Sequence, residues 1–423
     1  MKIIVSHPNS NQFNRSALQG FLEKDMLSEF HTGIALFPNG LLDRLASFPT
    51  FSEIRRRSFS PDLKNYTHNW PVLETGRLIA GKIGATFLTR HEKGIFCIDS
   101  VYNSLDHRTS LRLKEAKKRG AKGVYAYEDG ALKTFREAHN LGLSCFYDLP
   151  IGYWRTAREL LELEKERWPE WSATLTGLKD SEEKLIRKDE ELALADRIFV
   201  ASSFTAHTLK NYPGNLAPIE IIPYGFPPPI STRKYEGINN LKPLKLLFVG
   251  GLSQRKGIAD VFAVVDKLQP HVTLTVVGYK ASDNCRVLDE NLSKHKWIPS
   301  LPHSEILKLM RDHDVLLFPS LFEGFGMVIT EAMSQGTPVI TTERTAGPDV
   351  IIHNENGWLI KAGSTIALEE CLDYLLQNPK SISEVGKAAR ETAKQRPWSV
   401  YGKELATAIS EHVGKANASK LRI

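Results

Sequence analysis

The chain has 423 residues, 42% of them hydrophobic and 25% charged, with a net charge of +6. This is ordinary globular usage, which excludes a mainly disordered chain, and the length implies two or three domains. No apolar run approaches the roughly 18 residues that a membrane span needs, the opening "MKIIVSHPNSNQF" lacks the apolar stretch of a signal peptide, and four scattered cysteines point to neither zinc nor disulfides.

Taken in chain order, strand-like runs alternate with helical ones. Over residues 1–224 the expected strands are "KIIVSH", "IFCID", "GVYAY", "LSCFYDLP", "RIFVASS" and "IEIIPYG". Helices are expected over 131–141, "RTARELLELEKERW" and "SEEKLIRKDEELALA". The basic run "LRLKEAKKRGAK" (111–122) reads as a helix, either a solvated face or a face attracted to anionic lipid or an anionic acceptor. No aromatic-interleaved basic motif accompanies it, so nucleic acid is not an expected partner. After Tyr224-Gly225, the proline-rich segment 225–242 reads as a linker. A second series fills 243–397, from "KLLFVGG" through "HVTLTVVGY", "DVLLFPS" and "TPVITT" to "NGWLI". Proline in "QRPW" (395–398) then stops one helix, and the last helix, about 398–415, is expected to pack back on the first unit. The pattern is α/β: two doubly wound units with parallel sheets, ligands entering at the carboxyl ends of the strands in a cleft between them.

The chemistry concentrates in "PSLFEGFGMVITEAMSQGTPVI" (319–340). Strand residues deliver Glu323 into the loop Gly324-Phe325-Gly326, a helix starts near Gly326 or Met327, and Glu331 follows about one turn further in. Bare glycine amides at a helix start admit an anion or sugar hydroxyl, and a carboxylate one turn on can accept from a vicinal diol. The plain alternative is a capping Glu323 and a solvated Glu331. In "LFVGGLSQRKGI" (247–258), Arg255 and Lys256 stand before a helix, where positive charge is unfavourable unless it serves a ligand such as a leaving diphosphate. Several residues stay open at this point. His7, Asn11 and Arg15 either face the cleft or form a polar loop, and Glu128 and Asp129 are read as caps of the helix from Ala131. "DHD" (312–314) spells a metal-binding Asp-x-Asp but joins a helix to a buried strand, so no metal is expected there. His303 is read as a capping or packing residue.

The segments "LFEGFGMVITEAMSQGTPVI", "IIPYGF" (221–226), "LFVGGLSQRKGI" and "NGWLI" (356–360) together resemble retaining glycosyltransferases of family 4. The resemblance implies the GT-B fold, two Rossmann-like domains facing a cleft. It assigns the donor sugar to Glu323, the nucleotide ribose to Glu331, and sugar and phosphate to Gly324, Phe325 and Gly326. Lys256 keeps the family's lysine, Gly251 stands where the family has an arginine, and Arg255 is the candidate replacement. Asp148 stands roughly where the family has a histidine, as a hydrogen-bond partner of the sugar or acceptor of a proton. The implied reaction moves a sugar from a nucleotide-sugar donor to a saccharide, lipid-linked or polysaccharide-precursor hydroxyl, with no cofactor or metal. Its setting is cytoplasmic, with peripheral contact at the inner membrane face. The rival readings are a nucleotide-sugar epimerase and a non-catalytic nucleotide-sugar binding protein.

Overall fold

The computed structural model describes residues 1–38, 54–235 and 242–420, with side chains described as far as residue 412. Two wholly parallel sheets form the frame. The first contains β1 (Lys2–Ser6), β2 (Leu27–Thr32), β3 (Thr67–Asn69), β4 (Ala121–Tyr127), β5 (Ser144–Leu149), β6 (Arg197–Val200) and β7 (Ile219–Ile221), in the order β3-β2-β1-β4-β5-β6-β7. The second contains β8 (Leu244–Val249), β9 (Val272–Val277), β10 (Lys296–Ile298), β11 (Val315–Phe318), β12 (Val339–Thr342) and β13 (Trp358–Ile360), in the order β10-β9-β8-β11-β12-β13. Apolar runs such as Ile3–Val5, Leu246–Phe248 and Val315–Leu317 are fully buried because helices cover both faces. The winding direction reverses between β1 and β4 and again between β8 and β11, so the loops after these four strands open onto the crevices where ligands of such sheets bind.

Three expectations about local structure need correction. "IFCID" is not a strand: Cys97 caps a helix, its Sγ accepting from Ser100 N, and Ile98–Lys118 is helical. The strand in that part of the sheet is β2, whose Glu29 and His31 disguise it as a polar stretch. Burial alone would push the Glu29 carboxyl up, but His31 and Arg112 hold it at about 2, and Arg119 also pairs with it. For the same reason the basic run 111–122 is only in part a free cationic face: Arg112 and Arg119 are committed to Glu29 and Lys117 donates to the Leu141 carbonyl at 2.5 Å, while Lys114 and Lys122 are exposed. Nor do Glu128 and Asp129 cap the next helix, Leu132–Asn140. Its first amides are held by Glu191 (from Ala131 N at 3.0 Å and Leu132 N at 3.2 Å) and by Asp106 (from Lys133 N and Thr134 N, each at 2.8 Å). Glu128 and Asp129 instead pair with Lys188 and Arg187 of the helix Glu182–Ala193.

The lobes are joined by more than the linker. The helix Trp154–Arg167 and the turn after it follow the first sheet in sequence, yet Trp171 stacks on Phe262 of the helix Ile258–Lys267 at 5.9 Å. Nearby, Arg167 pairs with Asp260, and the Thr174 carbonyl accepts from Ser253 Oγ at 2.7 Å. In the other direction the helix Trp398–Lys420 crosses back onto Gln12–Glu23. The crossing is a glycine contact: a Cβ at Gly20 would lie 2.0 Å from the Gly402 carbonyl oxygen, and one at Gly402 would lie 2.2 Å from that of Ser16. Tyr401, Leu405 and Ile409 bury their side chains beneath it.

Asp148 is the largest departure from expectation. It ends β5 but turns into the core rather than the cleft, where it accepts a hydrogen bond from Tyr125 OH and is surrounded by Tyr125, Tyr127, Tyr224 and Tyr401. Burial pushes its carboxyl up to about 7, with the Tyr125 hydroxyl pulling the other way. It therefore meets no sugar in this arrangement. A buried acid with a raised pKa favours the folded state below its ordinary value and loses that contribution as pH rises through about 7.

Gly402→Val should destabilise the protein by about 1–3 kcal/mol through backbone overlap, read as a lower melting temperature with unchanged secondary structure. Asp148→Asn should flatten the fall in melting temperature between about pH 4 and about pH 7, because the amide keeps an acceptor for Tyr125 but has no proton to lose; an unchanged pH profile would contradict the burial argument.

Candidate active site

The loop after β8 is built to turn a cationic pair back toward β11. Gly250 takes a φ of +150°, and a Cβ there would lie 3.0 Å from Lys256 Cδ. Ser253 caps the short 3₁₀ turn Gln254–Lys256. Gly257, at φ +71°, adopts the left-handed conformation beneath the Pro319 carbonyl, where a Cβ would approach to 2.2 Å. The result sets the Lys256 ammonium 4.7 Å over the Phe318 ring and onto Glu323 Oε2. Arg255 reaches the same carboxylate oxygen at 3.1 Å and the Phe322 carbonyl at 2.6 Å. Burial opposes the charge on Glu323, yet the two cations hold its carboxyl below the usual range. Burial lowers the Lys256 ammonium, which Glu323 only partly offsets. Two cations meet one carboxylate, so the cluster keeps a net positive charge beside the switch point of the second sheet.

The glycine loop faces the first lobe directly. A Cβ at Gly324 would lie 1.9 Å from the Pro150 carbonyl oxygen, while Ser202 Oγ and Thr205 Oγ1 donate to the Gly324 carbonyl at 2.5 and 3.0 Å. Gly152 is equally close-set, against the Phe322 ring. Phe325, expected against the donor, is a packing residue: its ring is buried 4.9 Å from Tyr224. Gly326, at φ +83°, is the N-cap of the helix Met327–Ser334, where only glycine clears the Phe318 ring. Gly251 is exposed, with nothing within 4 Å of where a Cβ would stand. The arginine expected at that position is therefore missing without being crowded out.

Glu331, one turn into the helix, pairs with His303 Nε2 at 3.0 Å; that hydrogen bond raises the imidazole pKa against the opposing effect of burial. The ordinary capping role expected of His303 is thus incomplete. Both residues line a cavity of about 680 Å³ between the lobes, opposite Asn11, Arg15 and Arg56 and beside Trp398. Arg255 lines a different hollow of about 310 Å³ with Gly152, Trp154, Lys188 and Phe322. The two hollows share no lining residue, and the Gly324 contact belongs to neither. The expectation of one continuous crevice holding both carboxylates and the cationic turn is met in part: all belong to the interlobe face, but Glu331 and Arg255 front separate spaces.

Other candidates resolve more simply. His7 is buried with its ring 4.4 Å from Tyr127, and burial lowers it to about 4, so it is a core residue, whereas Asn11 and Arg15 do reach the cavity. In "DHD", Asp314 accepts from Lys245 N at 2.8 Å and His313 bonds Thr275 Oγ1 at 2.9 Å, both structural contacts. Sequence reasoning missed Arg56 and Asp349. The triplet Arg55-Arg56-Arg57 was a visible signal; Asp349, which takes Ser203 N and Oγ across the lobes, carried none.

Residues 232–392 match the family described as glycosyl transferases group 1. Among curated proteins, the chain is 28% identical over 158 residues to a glycogen synthase of Mycobacterium tuberculosis, covering 35% of this chain and 38% of that protein. It is 30% identical over 162 residues to the amylovoran biosynthesis glycosyltransferase AmsK of Erwinia amylovora, covering 35% and 40%. The chain thus spans about two-fifths of the length of these curated relatives. Solved structures align over nearly all of it. Sucrose-phosphate synthase of Thermosynechococcus elongatus gives a TM-score of 0.65 at 16% identity over 99% of this chain and 100% of that one. Anabaena Alr3699/HepE in complex with UDP and glucose gives 0.62 at 16% identity over 97% and 100%. The family match falls on the segment that carries Lys256, Glu323 and Glu331, and the whole chain shares the two-lobed GT-B architecture of these solved structures.

Proposed function

We propose that the protein is a retaining glycosyltransferase that moves a sugar from a nucleotide-sugar donor to an acceptor hydroxyl. The observation that carries this reading is the Lys256–Arg255–Glu323 cluster at the β8/β11 switch point, with Glu331 one helical turn beyond the same glycine loop. An arriving diphosphate competes with Glu323 for the two cations. Once displaced, the carboxylate is free to accept from sugar hydroxyls, and Glu331 exchanges His303 for the ribose hydroxyls. The bond from the anomeric carbon to the diphosphate oxygen breaks, its electron pair leaving with the diphosphate. The acceptor oxygen bonds to that carbon on the same face, and its proton passes to the leaving diphosphate. Lys256 and Arg255 stabilise charge that grows on the leaving group as the bond breaks, so they act more strongly in the transition state than in the ground state. No residue of the chain need become covalently attached, and the chain's own cations carry the diphosphate charge. Relatives support the donor class: HepE has been seen with UDP-glucose.

The acceptor side is read from the surface. Among the described residues no helix is long and apolar enough to cross a membrane. The first lobe nevertheless exposes Val72, Ile79, Ile83 and Phe87, of which Val72, Ile79 and Ile83 share one face of the helix Pro71–Lys82 and its end at i, i+7 and i+11. Ile95 is exposed nearby in sequence, as are Arg90 and Lys93. An apolar face bordered by cations suits the surface of an anionic bilayer. This face replaces the 111–122 helix as the basis for a lipid-linked acceptor and a peripheral location at the inner membrane face.

Lys256→Ala or Glu323→Gln should lower kcat for transfer by about 10²- to 10³-fold with the fold retained, measured against whichever nucleotide sugar raises the melting temperature most in a thermal-shift screen; unaltered turnover in either variant would count against the assigned roles. Ile83→Ser/Phe87→Ser should weaken co-sedimentation with phosphatidylglycerol-containing vesicles relative to the parent, with neither protein binding pure phosphatidylcholine. Equal sedimentation of parent and variant would remove this face as the contact.

A further inference from the structure

The cavity bounded by Glu331 on the second lobe has a positive wall on the first. Arg15, on the helix Gln12–Glu23, and Arg56 line it together. With Gln12 and Trp398 they continue into an adjoining cavity of about 610 Å³ that also takes in Arg55. Arg56 faces a third hollow beside Asn9 and Ser10. Among the described residues, no carboxylate pairs with Arg15, Arg55 or Arg56. Arg15 donates only to oxygens that carry no charge, the Arg56 carbonyl at 2.6 Å and Ser10 Oγ at 3.4 Å, and its Nε is buried without a hydrogen-bond partner. The contrast with neighbouring arginines is local, since Arg57 and Arg77 share the buried carboxylate of Glu74. The carboxylates lining the two larger cavities are Glu331, engaged by His303, and Glu23, which is exposed and accepts from Gln19 at 3.1 Å.

A guanidinium held by neutral acceptors, as that of Arg15 is, keeps most of its capacity to bind an anion, and Arg55 and Arg56 are exposed beside it. Their planar fork matches phosphate oxygens in pairs, which a lysine cannot do. The helix that carries Arg15 begins at Asn11, which also lines the cavity, so its amides and dipole favour negative charge in the same place. The second lobe offers Arg255 and Lys256 only in competition with Glu323, and Gly251 supplies no side chain where a third cation was expected, so the first-lobe arginines add to that pair rather than replace it.

We infer that Arg15 and Arg56, backed by Arg55, form a phosphate-binding site on the first lobe, for a ligand whose other end reaches toward Glu331. The chemistry is that of a phosphate mono- or diester group; naming its source as the donor's diphosphate or a phosphate on the acceptor rests on the transferase reading, whereas the arginine wall does not. The Trp398 ring, which lines both larger cavities, offers an apolar face to the ring system attached to that phosphate.

Calorimetric titration of the full chain with UDP, GDP, a hexose phosphate and inorganic phosphate tests the site. The proteins are the parent, Arg56→Ala, Arg15→Ala/Arg56→Ala and Arg15→Lys/Arg56→Lys. Arg56→Ala preserves the main-chain carbonyl that Arg15 and Ser10 bind, so its fold is not at issue. The double alanine variant should lose about tenfold or more in affinity for at least one phosphate-bearing probe, with Arg56→Ala losing part of that and the lysine variant recovering part. Loss of nucleoside diphosphate binding places the donor's diphosphate at the arginines. Loss of hexose phosphate binding with diphosphate affinity kept places an acceptor's phosphate there. A double alanine variant within about twofold of the parent for every probe, or a parent that binds none of them, overturns the site. Failure of the transferase reading shows separately, in the turnover of the Lys256 and Glu323 variants, because inorganic phosphate can bind these arginines without any transfer.

Discussion

The arrangement of the second lobe depends on one interaction, the carboxylate of Glu323 held between Lys256 and Arg255. Three largely buried charges are costly to take out of water, and their mutual attraction repays that cost only when geometry and hydrogen bonds are both good. The sequence supplies both through backbone shape: Gly250 makes room for the lysine stem, Gly257 reverses the chain under Pro319, and Ser320 Oγ donates to the Arg255 carbonyl at 3.1 Å. Because the cluster carries one positive charge in excess, an anion entering it finds attraction already in place and one carboxylate, Glu323, to displace.

The first lobe answers with a different kind of surface. Its loops after β5 and β6 press on the glycine loop through neutral groups, Pro150 O, Ser202 and Thr205. Such contacts are small and directional. They help fix the register of the two lobes beside apolar contacts such as Phe204 against Phe322 and Tyr224 against Phe325. The residues expected to do chemistry on this side, Asp148 and His7, lie in the aromatic core instead, where burial holds one near about 7 and the other near about 4.

Much of the fold was legible because β-runs such as "KLLFVGG" and "DVLLFPS" bury both faces and read as uninterrupted apolar stretches. β2 and β10 were not legible. β2 carries His31 and Glu29, and the Glu29 charge is neutralised by arginines more than 80 residues away, a pairing that no local pattern can reveal. "KWI" of β10 is a three-residue edge strand, too short for a period to show. At the site, the helix start at Met327 followed from glycine placement, while Glu323 and Lys256 were singled out by their loop positions and the family resemblance. Phe325 and Asp148 did not, because side-chain direction at a strand end or in a glycine loop is set by the opposite lobe. Arg55, Arg56 and Arg57 were visible as a triplet, but that Arg57 is committed to a carboxylate could be seen only once Glu74 was placed beside it.

The chain passes between the lobes twice at almost the same point: Phe226 and Pro397 form a bridge, and Gly225 lies so near Trp398 that a Cβ would come within 2.4 Å of its Cα. Two adjacent crossings act as a pivot, and any rotation of one lobe on the other displaces distant groups most and those on the axis least. Under such a rotation Glu331 and the first-lobe arginines would change their separation while the indole of Trp398, beside the crossings, would stay nearly in place as the floor of the cavity.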